Sequence, residues 1–189
     1  NIKDLKTNLN QICINNGFKK EKLNFLWKEY GIANRFDSPD TIYIKRLLQH
    51  ALPEDLRNDA TKELFNKYVG MDSADFCSKL YMSSNEVQEL ISSGMQVGSH
   101  SNNHYWLDKL TPKKQEEDLN QSLNFLENVG ASTTDWMLCY PYGAYNQSTL
   151  RIAKKLGAKI GVTTRVAQAN INSDHFLELP RFDTNDFPQ

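Results

Sequence analysis

Met95-Gln96-Val97-Gly98-Ser99-His100-Ser101-Asn102-Asn103-His104 is the stretch on which the chain's organisation turns. A short apolar run, Met95 to Gly98, ends in a histidine, and a second histidine follows four residues later. This pattern predicts a buried strand that runs straight into a site. Neutral imidazole nitrogen is the commonest protein ligand for zinc-like metals. Ser101, Asn102 and Asn103 favour a tight turn, because their side chains can bond nearby backbone groups. Such a turn lets His100 and His104 face the same way. Taken alone, the pair reads more readily as two ordinary loop histidines.

Working outward, the neighbouring residues alternate between helix and strand signals. Upstream, Ser83-Ser84-Asn85-Glu86 is a capping box ahead of Val87, Leu90 and Ile91, with Gly94 as the stop. Downstream, Trp106, Leu107 and Leu110 are placed to cover the site. Thr111-Pro112 opens a helix whose buried face is Leu119, Leu123 and Leu126, ended by Gly130. Trp136 to Cys139 is a second apolar strand, and it too ends in polar groups, Tyr140-Pro141-Tyr142-Gly143. A helix from about Asn146 presents Leu150, Ile152, Ala153 and Leu156 and stops at Gly157. Ile160 to Thr164 is a third strand and Phe176 to Leu179 a fourth. Strands alternating with helices imply right-handed crossovers and a parallel sheet. Sites in such folds lie at the carboxyl ends of strands, and His100, Tyr140 and Arg181 each follow one.

Residues 1–82 read differently, as a helical segment ahead of the β/α core at 83–189. Four apolar stripes recur at helical spacing: Leu5, Leu9, Ile12; Leu23, Leu26, Trp27, Tyr30; Ile42, Ile44, Leu47, Leu48, Ala51; and Leu56, Ala60, Leu64, Phe65, Tyr68. Their stops are Asn15-Asn16-Gly17, Gly31, Pro53 and Gly70. Asp75, Phe76, Cys77 and Leu80 suggest a short fifth helix. A membrane-surface or partner-binding role would suit such stripes, but packing among themselves is the simpler reading.

The chain has 189 residues, enough for one ordinary domain with a real core. Lys plus Arg number 22 and Asp plus Glu 23, so the formal charge is −1 and nothing argues for nucleic acid. No apolar run is long enough to span a membrane. Cys13, Cys77 and Cys139 are odd in number, widely spaced and without CxxC spacing. That pattern favours a reducing, cytoplasmic compartment over an oxidising one, although Asn1-Ile2-Lys3 reads like the middle of a longer segment.

Gly98-Ser99-His100-Ser101-Asn102-Asn103-His104 resembles the metal-binding His motif of the polysaccharide deacetylases, the carbohydrate esterase family 4 domain. Tyr140-Pro141-Tyr142-Gly143-Ala144-Tyr145 resembles that family's substrate-groove motif, and Leu179-Pro180-Arg181 a later motif of one branch. The resemblance covers about residues 83 to 189. It implies an α/β fold, an incomplete and distorted β/α barrel with the helical N-terminal segment as an insertion. It implies hydrolysis of N-acetyl groups on a polysaccharide or amino-sugar oligomer with a divalent metal, zinc before others. His100 and His104 would be metal ligands. The backbone amide of Tyr142 would stabilise an oxyanion, and Arg181 would orient the catalytic base. Tyr140, Pro141 and Tyr145 would line the sugar groove, with core packing the alternative for the tyrosines.

Two departures matter. The family's strand ending in an Asp-Asp pair, which supplies the base and the third metal ligand, is not in this chain. Asp108, Asp183 and Asp186 lie near the motifs but read as solvated or structural. Cys139 also stands where an arginine is common in the family, and Arg181, otherwise a surface ion-pair residue, resembles its substitute in one branch. His50 and His175 do not match the family's general acid, so that role is left empty. The expectation is a truncated, inactive fragment, with an upstream segment or a dimer completing an open sheet edge. The alternatives are a non-catalytic carbohydrate-binding relative, or a helical interaction module in which both histidines are structural.

Overall fold

Several helices start where a side chain caps them. In the computed structural model, which describes residues 1–34 and 36–187, the chain divides into two units, Asn1–Leu80 and Tyr81–Gln189.

In the first unit, the Asn1 side chain accepts from the amides of Lys3 and Asp4 and starts α1 (Ile2–Asn15). Helix α2 (Lys20–Tyr30) ends at Gly31. Ser38 caps α3 (Pro39–Arg46), which has Pro at its first position and widens into a π-turn at Leu47–Ala51. The widening ends at Leu52, held extended at ψ 156°, as expected for a residue before proline. Helices α4 (Glu54–Tyr68) and α5 (Ser73–Leu80) follow. The first four helices bury one another's stripes around Leu9, Cys13, Tyr43, Leu47 and Ala60. Helix α5 buries no residue. Of its apolar stripe, Phe76 packs edge-on against Phe65 at 5.2 Å.

In the second unit, Ser83 and Glu86 form the predicted capping box of α6 (Ser84–Ser92). Thr111 caps α7 (Pro112–Asn128). Strand β1 (Trp136–Cys139), α8 (Gln147–Lys155) and β2 (Ala158–Val162) form one β–α–β crossover, with β1 and β2 parallel. The core joins both strands to α7 and α8 through Leu119, Trp136, Leu138, Tyr140, Ile152 and Ala153.

The sheet is smaller than the sequence predicts: among the described residues it has two strands, extended by single bridges Ser99↔Leu138 and Val162↔Leu179. Residues 95–98 are not a buried strand. Met95 is 59% exposed, and pairing is confined to Ser99, whose N–H donates to Met137 O at 2.8 Å and whose carbonyl accepts from Cys139 N at 2.9 Å. Gly98 permits this approach, since a Cβ there would sit 2.7 Å from Met137 O. Residues 176–178 are likewise a 3₁₀ turn, not a strand. The chain becomes extended only at Leu179, which bonds Gly161 and Thr163. A short apolar run becomes a strand only when successive residues find partners, and these two runs offer one residue each.

Candidate functional site

The loop after Ser99 is strained at both ends. Ser101 (φ 60°), His104 (φ 55°) and Tyr142 (φ 58°) are the non-glycine residues at positive φ among the described residues. Side chains in this region cost about 1–2 kcal/mol each and persist only where their surroundings over-determine them. Here the surroundings are polar and partly buried. Ser99 Oγ lies 2.7 Å from Ser122 Oγ on α7 and accepts from Ser101 N at 3.1 Å. Ser101 Oγ accepts from His104 N at 3.1 Å. The Asp118 carboxylate, also on α7, accepts from Asn102 N at 3.0 Å and Asn103 N at 2.9 Å, and from Asn103 Nδ2 at 2.8 Å.

This loop brings the two histidines together. Their Nε2 atoms are 3.1 Å apart. His100 Nδ1 lies 2.7 Å from Cys139 O, and His104 Nδ1 lies 3.1 Å from the Tyr142 hydroxyl. A carbonyl can only accept, so a neutral His100 carries its proton on Nδ1 and keeps the Nε2 lone pair. The neutral chain then runs in one direction. Tyr142 donates to His104 Nδ1, His104 Nε2–H donates to His100 Nε2, and His100 Nδ1–H donates to Cys139 O. Burial, and secondarily the charge of His100, lowers the His104 pKa. The Tyr142 ring is held between His104, at 4.7 Å, and Trp106, stacked at 5.1 Å.

A cleft of about 310 Å³ opens beside the pair, lined by Gly98, Ser99, His100, Met137, Cys139 and Arg181. Arg181 is exposed and its Nε donates to Thr163 O at 3.0 Å. Burial raises the Cys139 thiol pKa, with Arg181 opposing. The structure thus gathers His100, His104, Tyr142 and Arg181 around one end of the sheet.

The other residues of the groove motif lie deeper. Tyr140 is 3% exposed, its hydroxyl donates to Leu177 O at 2.7 Å, and Pro141 is fully buried. Both side chains are thus packed inside the second unit. Tyr145 is half-buried, stacks on Tyr140 at 4.6 Å and donates to Glu178 Oε1 at 3.0 Å. Of the acidic residues near the motifs, Asp183 and Asp186 cap one 3₁₀ turn, and Asp108 lies 3.6 Å from Lys109 through Oδ2.

Two ligands of a tetrahedral zinc, each at 2.0–2.1 Å, stand about 3.4 Å apart. The Nε2 pair at 3.1 Å therefore suits two adjacent positions of such a set. Among the described residues, no group of three His, Cys, Asp or Glu side chains could hold a metal. The donor set is two-thirds of what a catalytic site needs.

Sequence reasoning missed Asp118 and Ser122. Their signal was present: with Gln115, they are polar residues on the buried face of α7 beside Leu119 and Leu126.

A profile of the polysaccharide deacetylase family matches residues 60–161, and the chain belongs to that family. It is 32% identical over 92 residues to YxkH of Bacillus subtilis (strain 168), whose name places it among the polysaccharide deacetylases. That match covers 49% of this chain and 33% of YxkH. Among solved structures, the Streptococcus pyogenes deacetylase PplD, in complex with acetate, matches with a TM-score of 0.51 at 27% identity. The match covers 65% of this chain and 57% of PplD. The chain thus spans about a third of the one relative and little over half of the other.

Proposed function

We propose that the site between Ser99 and Arg181 belongs to a metal-dependent hydrolase that removes N-acetyl groups from a polysaccharide or amino-sugar oligomer. One observation carries this reading: two imidazoles face each other through Nε2 at 3.1 Å, each with its Nδ1 already engaged, beside an open cleft. Partners of this kind fix ring orientation in metal sites. His100 and His104 would hold a divalent metal, zinc before others, through Nε2. When bound, such a metal supplies a water that ionises near neutral pH. With both Nε2 atoms serving as ligands, each ring would carry its proton on Nδ1. His100 would donate to Cys139 O as before, and His104 would reverse its bond and donate to the Tyr142 hydroxyl oxygen. These two acceptors would keep the rings aimed. The Tyr142 amide would donate to the oxyanion of the tetrahedral intermediate. The Arg181 guanidinium, suited to bidentate carboxylate contact, would orient a catalytic base. Tyr145 is left as the aromatic of the groove motif near the sugar.

The base and third ligand would come from a carboxylate pair on a further strand, pairing along the exposed edge at residues 95–98 and extending the sheet toward a distorted β/α barrel. The acetate bound to PplD suits the product expected here. The incomplete donor set also favours a second reading, a carbohydrate-binding relative without catalysis. Acetate release from an N-acetylglucosamine oligomer, assayed on the full reading frame with and without zinc, separates the two. Zinc-dependent release that disappears in the His100→Ala, His104→Ala variant supports the hydrolase. Sugar binding without release by the complete protein supports the second reading.

A further inference from the structure

We infer that Asp118 is the positioning residue of the histidine pair: its buried carboxylate holds the loop that aims His104 at His100. Asp118 is 4% exposed. A buried carboxylate is unfavourable unless its oxygens are satisfied, and here both are. Oδ2 accepts from Asn102 N, and Oδ1 from Asn103 N and Asn103 Nδ2, at 2.8–3.0 Å. All three donors belong to the two residues between Ser101 and His104, which are the loop's two left-handed residues.

That placement has a consequence. A four-residue turn with an unfavourable backbone at each end relaxes unless its middle is fixed. The other restraints on this turn are neutral: hydroxyl contacts from Ser99 and Ser101, and Asn102 Nδ2 donating to Gln121 Oε1 at 3.0 Å. Bonds to an ionised carboxylate are roughly twice as strong as neutral ones. Asp118 therefore supplies the dominant restraint on where the His104 backbone leaves the turn, and so on where its ring can reach. Its action passes through Asn102 and Asn103.

An asparagine at the site keeps the size but replaces one acceptor oxygen with an N–H₂ that opposes an N–H donor. In the Asp118→Asn chain, the ¹⁵N and ¹H signals of the His104 ring should shift, and the nuclear Overhauser contact between the His100 and His104 rings should weaken. Zinc affinity, measured by calorimetry with zinc alone, should fall by up to about tenfold, the lower end of what losing a direct outer partner of a ligand costs. Leu119→Val, a core truncation on the same helix, serves as the control. It should lower the melting temperature and leave ring signals and zinc affinity in place. Asn103→Ala, which deletes only the 2.8 Å side-chain bond, should move the same signals in the same direction by less, and it decides the matter if Asp118→Asn does not fold. Unchanged His104 signals in both loop variants would overturn the inference, as would equal shifts in Leu119→Val. Only the zinc measurement rests on the proposed metal site. If the parent chain binds no zinc, that proposal fails, while the ring signals still decide the role of Asp118.

Discussion

Tyr142 combines three roles that its sequence context does not separate. Its backbone is left-handed, its ring stacks on Trp106, and its hydroxyl meets His104 Nδ1. The ring contacts keep the side chain in place without the hydroxyl. Tyr142→Phe should therefore fold normally and retain the aromatic stack, while His104 loses the hydroxyl oxygen that would accept its Nδ1–H when Nε2 is a ligand. Zinc affinity should drop about tenfold, and His100→Ala, His104→Ala should remove binding altogether. Calorimetric titration of the three proteins checks this. Equal affinity in Tyr142→Phe and parent would remove the hydroxyl from the site.

Among the elements, α6 owes its start to one ionised side chain. Glu86 accepts from Ser83 N at 2.6 Å and Ser83 Oγ at 2.8 Å, and these bonds lower its pKa below the ordinary 4.5. The folded state thus holds its proton less tightly than the unfolded one. The box contributes fully above the ordinary glutamate value and fades as pH falls through the lowered one. Amide exchange at the first turn of α6 should accelerate below that range in the parent, and the acid-dependent step should be absent in Glu86→Ala.

Strand β2 has a different constraint. A Cβ on Gly161 would run into Leu177 O and come within 2.5 Å of the Tyr140 hydroxyl, and Tyr140 already donates to Leu177 O. Gly161→Ala should destabilise the second unit by about 2 kcal/mol, in the range of overpacked cores. Thermal unfolding of the variant measures it.

For the whole molecule, on the proposed reading, the unpaired run at residues 95–98 and the pair of histidines call for the same further strand. Losing a general base alone typically lowers rates 10²–10⁴-fold, and lacking a metal ligand as well should lower them further. The described chain alone should therefore release no measurable acetate from an N-acetylglucosamine oligomer. Open sheet edges recruit other chains, and among the described residues the outer edge of β1 is paired at Ser99 alone, so the chain should also dimerise or aggregate. Adding an upstream segment bearing paired aspartates, fused or as a separate fragment, should restore turnover and yield a better-behaved monomer by light scattering. A chain that is stable, monomeric and active without that segment would contradict the proposed completion.

Local signals were legible in the sequence because they are carried by contiguous residues. Ser83 with Glu86, Pro112 after Thr111, and the glycines after α1, α7 and α8 mark helix ends through bonds spanning a few positions. The β1–α8–β2 crossover was legible for the same reason, as was the grouping of His100, His104 and Tyr142 into family-like motifs. What required tertiary structure was every choice that depends on a distant partner. Met95 to Gly98 and Phe176 to Leu179 look like strands, but pairing depends on backbone supplied by β1 and β2, and each run pairs at a single residue. Tyr140 reads as a sugar platform until Leu177 O closes over its hydroxyl. Asp118 reads as one more helix carboxylate until the turn at Asn102 and Asn103 folds onto it. A buried polar group declares its purpose only through the donors that satisfy it, and here those donors lie fifteen and sixteen residues away in the chain.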